Sequence, residues 1–180
     1  MEDYKISKSD KKPINQGLII SKILFPEQVS NVEESSKIYA LANDTSRAFP
    51  KILDDDKNFY QLIHATRKGL PYKSLLNAQV LMPFSIQEWA TILHISVRSI
   101  DRLKKERKKL NISQSEKLIE ITLLYDYGVD VFGAADKFSK WLERANIGLG
   151  GVAPKSLLDT NQGMKAIKSQ LSRIEYGVLA

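Results

Sequence analysis

From Tyr60 onward the apolar positions of this chain recur at helical spacing, and glycines, prolines and capping residues fall at the ends of each run. Tyr60 to Lys68 reads as a helix stopped by Gly69, and Pro71, at a first helical position, opens another that runs to Val80. Ser85, Ile86, Gln87 and Glu88 have the capping-box form, in which the serine hydroxyl accepts a backbone N–H and the glutamate reaches back to the cap. The helix that starts there carries Ile86, Trp89, Ala90 and Leu93 on one face and ends near His94 and Ile95. Ser96 caps the next, with Val97, Ile100 and Leu103 inward and Arg98, Ser99, Arg102 and Lys105 outward.

The pattern changes from Ser115, where "SEKLIEITLLYDYGVDVFG" is apolar on more than one side and predicts a buried central helix ending at Gly133. Ala134, Phe138, Trp141 and Leu142 then follow an amphipathic helical pattern that ends near Asn146, with both aromatics expected in the core. Pro154 opens a short "PKSLLD" helix, Thr160 or Asn161 caps the last one, and Met164, Ile167, Leu171 and Ile174 form its inner face up to a stop at Gly177. The region before Tyr60 is less regular. Its first sixteen residues are polar and lysine-rich, the predicted frayed arm. "GLIISKILF" is a strand or a buried helical turn, which periodicity does not separate, and "NDTSRAFPKILDDDK" reads as a connector. The expected fold is therefore all-α, with a possible short strand in an N-terminal extension over residues 1–55, a helix-turn-helix bundle over 56–112 and a small helical domain over 113–180.

Composition narrows the function classes. At 180 residues with 43% apolar side chains the chain can bury a real core. No run approaches the roughly 18 apolar residues of a membrane span, and the first residues lack the apolar stretch of a secretory signal, so a soluble cytoplasmic protein is expected. Cysteine is absent, which excludes disulfides, thiolate metal sites and cysteine nucleophiles. His64 and His94 are the only histidines, with no arrangement of carboxylates around them, so neither enzymatic activity nor a metal or cofactor is expected.

Charge adds a positive indication. Nearly all of the formal net charge of +6 lies between Arg98 and Lys109, where seven basic residues face Asp101 and Glu106. A concentrated basic stripe is the footprint of a polyanion partner, because neutralising phosphates releases condensed counterions. Two short helices, a turn of about three residues, a small Ala90 at their crossing and this basic outer face make a helix-turn-helix. Arg98 and Arg102 offer guanine a bidentate donor pair, with Ser99 beside them, while Lys104, Lys105, Arg107, Lys108 and Lys109 suit phosphates. His94 stands where such turns often hold glycine, and must accept the turn's backbone with a side chain attached.

"IGLGGVAPKS" superficially resembles a phosphate-binding loop. Such a loop needs a glycine just before the Lys-Ser pair and a preceding strand, whereas here Pro154 supplies no N–H and a helix precedes. The stretch is expected instead to serve as a hinge into the last helix.

The run "VFGAADKFSKWLERANIGLGGVAPKSLLDTNQGMKAIKSQLSRIEYGV" resembles the toxin-binding domain of the Xre, MbcA and ParS antitoxin family. The resemblance lies in Trp141 and Leu142, Asn146, Gly150 and Gly151, Pro154, Leu157 and Leu158, Gly163, and then Arg173, Ile174, Glu175, Gly177 and Val178, in that order. Upstream, "FSIQEWATILHISVRSIDRLKKE" is similar to that family's Xre-like module. The resemblance implies a type II antitoxin whose toxin carries a RES domain and attacks NAD, and which self-associates, binds its own promoter DNA and covers the toxin's active site. Gly150, Gly151, Arg173, Glu175, Tyr176, Gly177, Val178, Leu179 and Ala180 would then form the toxin-binding surface, with the flexible tail plugging a concave site. A stand-alone transcription regulator whose C-terminal domain dimerises is the alternative.

Overall fold

A computed structural model describes residues 56–178. The possible strand, the rest of the N-terminal extension, and Leu179 and Ala180 at the other end lie outside the described residues. Those residues form seven α-helices: α1 Asp56–Lys68, α2 Tyr72–Leu81, α3 Ile86–Ile92, α4 Val97–Glu106, α5 Ile112–Phe132, α6 Ala135–Glu143 and α7 Asn161–Glu175. Short 3-10 turns at Ile147–Leu149 and Pro154–Leu157 link the last two. Among the described residues there is no strand, only the isolated bridges Pro71 to Lys109 and Asn146 to Val152. The fold is all-α.

α5 is the axis. Every residue from Ile121 to Val129 is buried, as are Leu118 and Ile119, because α1, α6 and α7 pack around it. Gly128 lets the Phe138 ring of α6 lie directly on the α5 backbone, where a Cβ would collide with it. Phe138 then stacks on Trp141 with ring centroids 5.8 Å apart, and Tyr125 meets it edge-on at 5.3 Å. Phe138 is fully buried, and Trp141 is half-buried at the edge of this cluster.

Several helix ends differ from the sequence reading by a few residues, each for a local reason. Pro71 is the cap of α2, not its first residue, because it stays extended to form the bridge with Lys109. α5 starts at Ile112, where Asn111 and Gln114 form a capping box upstream of the expected start at Ser115. Ser115 is instead fully buried within α5, its hydroxyl accepting the Leu70 N–H at 2.9 Å. Ala134 is an extended cap, one residue before α6. Pro154 does open its turn, and Thr160 caps α7 by accepting the Gly163 N–H at 3.0 Å. Ile174, expected on the inner face of α7, is 37% exposed, since the helix runs past the end of its support.

Candidate functional site

The helix-turn-helix is built as its caps dictate. Ser85 N–H donates to the Glu88 carboxylate at 2.7 Å while Glu88 N–H donates to the Ser85 hydroxyl at 3.2 Å, which starts α3. α3 buries Trp89, Ala90 and Ile92 and closes through the Ile95 N–H bond to the Ala90 carbonyl at 2.9 Å. His94 then takes the left-handed conformation, φ +53°, that the turn requires. Its Nε2 is 2.9 Å from the carbonyl of Asp159, so the ring donates there and fastens the turn to the segment before α7.

α4 begins at the Ser96 cap, whose hydroxyl accepts the Ser99 N–H at 3.1 Å, and sets Ile100 fully into the core. Arg98, Arg102, Lys104, Lys105 and Glu106 are all exposed along its outer side, and Arg107 is the exposed left-handed cap that ends it. Lys108 is exposed and ion-paired with Glu106. Ser99 is only half-exposed and its hydroxyl contacts that of Ser96 at 2.9 Å, so it stiffens the start of α4 as well as facing outward.

The second candidate surface lies at the far end of the chain. Asn146 N–H donates to the Val152 carbonyl at 3.0 Å and Gly151 N–H to the Asn146 carbonyl at 2.9 Å, closing residues 146–152 into a loop. Gly150 and Gly151 both sit at φ +78° with open space where a side chain would be, while Ile147 is 94% exposed. Gly148 lies against the Gln170 side chain of α7, so this loop and the C-terminal half of α7 form one continuous region. The stretch is therefore a closed loop seated on α7, and the expectation of a hinge is corrected.

At the end of α7, Gly177 adopts φ +66° and the Val178 N–H returns to the Arg173 carbonyl at 2.9 Å, a glycine-terminated cap. Arg173 is exposed, and Tyr176 and Val178 project at 71% and 59% exposure. Glu175 is exposed yet held, because the Tyr127 hydroxyl donates to its carboxylate at 2.7 Å. Burial, then that carboxylate's bond and charge, drive the Tyr127 phenol well above its usual range and keep it a donor. The chain is thus hydrogen-bonded into the end of α7 as far as Val178.

Lys155 is the residue sequence reasoning missed most. Its ammonium reaches the Glu88 carboxylate at 2.7 Å and that of Glu143 at 3.6 Å, and stands 5.8 Å from the Phe84 ring centroid. Burial alone would raise the Glu88 carboxyl, but the bonds from Lys155 and Ser85 and the Lys155 charge outweigh it and hold Glu88 below the usual range. The same carboxylate therefore caps α3 and ties it to the turn before α7.

Comparison with known proteins decides what this pairing is. Residues 61–122 match the antitoxin Xre-like helix-turn-helix domain, and residues 128–177 match the antitoxin Xre/MbcA/ParS C-terminal toxin-binding domain. The chain is similar to an Antitoxin Xre of Photorhabdus laumondii, 33% identical over 104 residues that span 53% of this chain and 70% of that protein. This chain belongs to the Xre-type antitoxin family. A second Antitoxin Xre, from Yersinia enterocolitica, is 29% identical over 105 residues, 53% of this chain and 71% of that protein.

The antitoxin is accordingly a binding protein and not an enzyme. Its toxin-binding domain implies a toxin partner and its helix-turn-helix implies DNA. His94 and Lys155 make their contacts between those two matched regions, which is why neither contact had a local sequence signal.

Proposed function

We propose that this antitoxin binds and blocks a RES-domain, NAD-consuming toxin and represses its own operon as a homodimer in the cytoplasm. The observation that carries the reading is one chain presenting two dissimilar exposed surfaces: the cations of α4 at one place and apolar Tyr176 and Val178 beside a glycine cap at another. Arg98 and Arg102 read bases, Ser99 supports them, and Lys104, Lys105, Arg107 and Lys108 meet phosphates. Gly150, Gly151, Arg173, Glu175, Tyr176, Gly177, Val178, Leu179 and Ala180 face the toxin, with no cofactor needed. A toxin that binds a phosphorylated cofactor needs cations in its site, so Glu175 and the terminal carboxylate are suited to meet them. Two copies place two recognition helices at half-sites about one helical turn apart. No helix among the described residues is long and apolar enough to cross a membrane.

Co-expression with the toxin tests the first half. Deleting residues 176–180 should leave the helical signal intact and abolish neutralisation; full protection by the truncated chain would refute a role for the tail. For the second half, replacing Arg98 and Arg102 by alanine should cost roughly 1–3 kcal/mol of operator binding per lost base contact with toxin binding kept. Equal loss of both would mean that α4 is structural.

A further inference from the structure

The basic surface does not end with α4. The last turn of α1 carries Arg67 and Lys68, the first turn of α2 carries Lys73, all three are exposed, and no carboxylate occurs between Gln61 and Lys73. In sequence this segment is far from the Arg98 to Lys109 stripe. The fold joins them: Leu110 N–H donates to the Leu70 carbonyl at 2.8 Å, and Pro71 forms its bridge with Lys109. Gly69, at φ +77°, permits the approach, since a Cβ there would strike the Leu110 carbonyl. Tyr72, which opens α2, has its phenol raised by burial and then by the charge of Asp101 on α4.

Helix electrostatics account for part of this pattern only. Arg67 and Lys68 suit the negative C-terminal end of α1, but Lys73 stands in the first turn of α2, where a cation meets the positive end of the dipole. The described residues contain no ion pair to Arg67, Lys68 or Lys73. Adjacent cations without carboxylate partners among the described residues are placed to answer an external polyanion, and their continuity with Lys109 makes that polyanion the duplex bound by α4.

We propose that Arg67, Lys68 and Lys73, joined to Lys109 across the Pro71 bridge, form a second phosphate-contact patch that grips the DNA backbone flanking the bases read by α4. The inference rests on the DNA-binding reading of α4 and extends it to residues outside the α3–α4 pair. The patch contacts backbone alone, so it adds affinity without adding sequence preference.

Fluorescence anisotropy of the full-length protein, on its promoter duplex and on a scrambled duplex of equal length, from 50 to 200 mM KCl, tests the patch. Each phosphate contact contributes about 0.9 to the slope of log K against log salt, so loss of two or three contacts in the triple variant Arg67→Gln, Lys68→Gln, Lys73→Gln should make it shallower by about 1.8 to 2.7 per bound subunit. Over that salt range the wild type should lose about 12-fold to 40-fold more affinity per bound subunit than the variant. The promoter-to-scrambled ratio should stay as in the wild type, whereas replacing Arg98 and Arg102 should collapse it. The charge-keeping triple Arg67→Lys, Lys68→Arg, Lys73→Arg should retain the slope, and a control removing Lys137, Lys140 and Lys165 should leave it unchanged. A wild-type slope in the first triple, or an equal change in the control, overturns the patch while leaving the α4 reading intact. Unchanged DNA binding with weakened toxin binding would assign the patch to the protein partner and overturn it as well. A wild type that binds neither duplex would remove the α4 reading, and the patch with it.

Discussion

Asp126 is a costly polar group in the core, and replacing it by asparagine exposes that cost. It lies in the middle of α5, 2% exposed, with one carboxylate oxygen lacking any hydrogen-bond partner among the described residues. Burial, reinforced by the like charge of Asp130 one turn on, pushes its carboxyl up to about 8. Asp130 is itself raised, by burial and then by the charge of Glu175, so the charges along this side of α5 oppose ionisation. An aspartate in the unfolded chain titrates near ~3.9. Between about pH 4 and 8 the folded chain therefore holds a proton that the unfolded chain has lost, and stability must fall as pH rises through that window. About four units at 1.36 kcal/mol each sets a ceiling of about 5 kcal/mol, and relaxation and water entry in a real interior bring the expectation to about 2–3 kcal/mol. That is a large share of the ~5–15 kcal/mol that holds a domain together. Urea unfolding followed by circular dichroism at pH 5 and pH 8 reads it directly. Because the unfolded aspartate is already mostly ionised at pH 5, the wild type should lose about 1–1.5 kcal/mol more than Asp126→Asn between the two pH values. Asparagine keeps the shape and also leaves a buried polar atom unsatisfied, so the difference in pH slope isolates ionisation. Equal slopes for the two proteins would refute the reasoning.

Two further substitutions probe how the halves are joined. His94→Gly relieves about 1–2 kcal/mol of left-handed strain while losing a hydrogen bond of about 0.5–1.5 kcal/mol, so its melting temperature should stay near that of the wild type. His94→Ala keeps the strain and loses the bond, and should melt lower; alanine and glycine variants of equal stability would show that the turn is not strained. Gly163→Ala gains about 1 kcal/mol of helix propensity, but its methyl would be driven into the Leu157 carbonyl, an overpacking cost of about 1–3 kcal/mol. Net destabilisation in chemical unfolding is expected, and a stabilised variant would mean that the Pro154–Leu157 turn yields freely.

What can be read from sequence is whatever is local. Ser85, Ser96 and Thr160 cap the helices they precede because an N-cap needs only a hydroxyl within three residues of a free N–H. The outward set on α4 follows in the same way from a 3.6-residue period with Ile100 inward. Pro71 and Ser115 depart from their expected places because their roles are set by partners elsewhere, Lys109 for one and Leu70 for the other. Ile174 matches the spacing of the inner face, but spacing does not say where the supporting surface ends. The grip of Tyr127 on Glu175 has no local signal either, since the two residues lie 48 apart in the chain.

The glycine-rich stretch shows how the two candidate surfaces come to be linked. Its loop is closed on itself by the Asn146 and Val152 bridge and lies against Gln170, while Lys155, just beyond it, reaches Glu88. Glu88 is already committed to the capping box that starts α3, and His94, at the other end of α3, is committed to the Asp159 carbonyl. α3 is thus pinned at both ends by the segment that leads into α7, and α3 in turn sets α4 through a turn with one left-handed residue. Individually these polar contacts are modest, about 1 kcal/mol or less where exposed. Their geometric effect is larger, because both ends of a seven-residue helix are fixed and little rotation is left to it. The cations proposed to face DNA and the apolar tail proposed to face the toxin are consequently connected through the contacts of Glu88, His94, Lys155 and the Asp159 carbonyl.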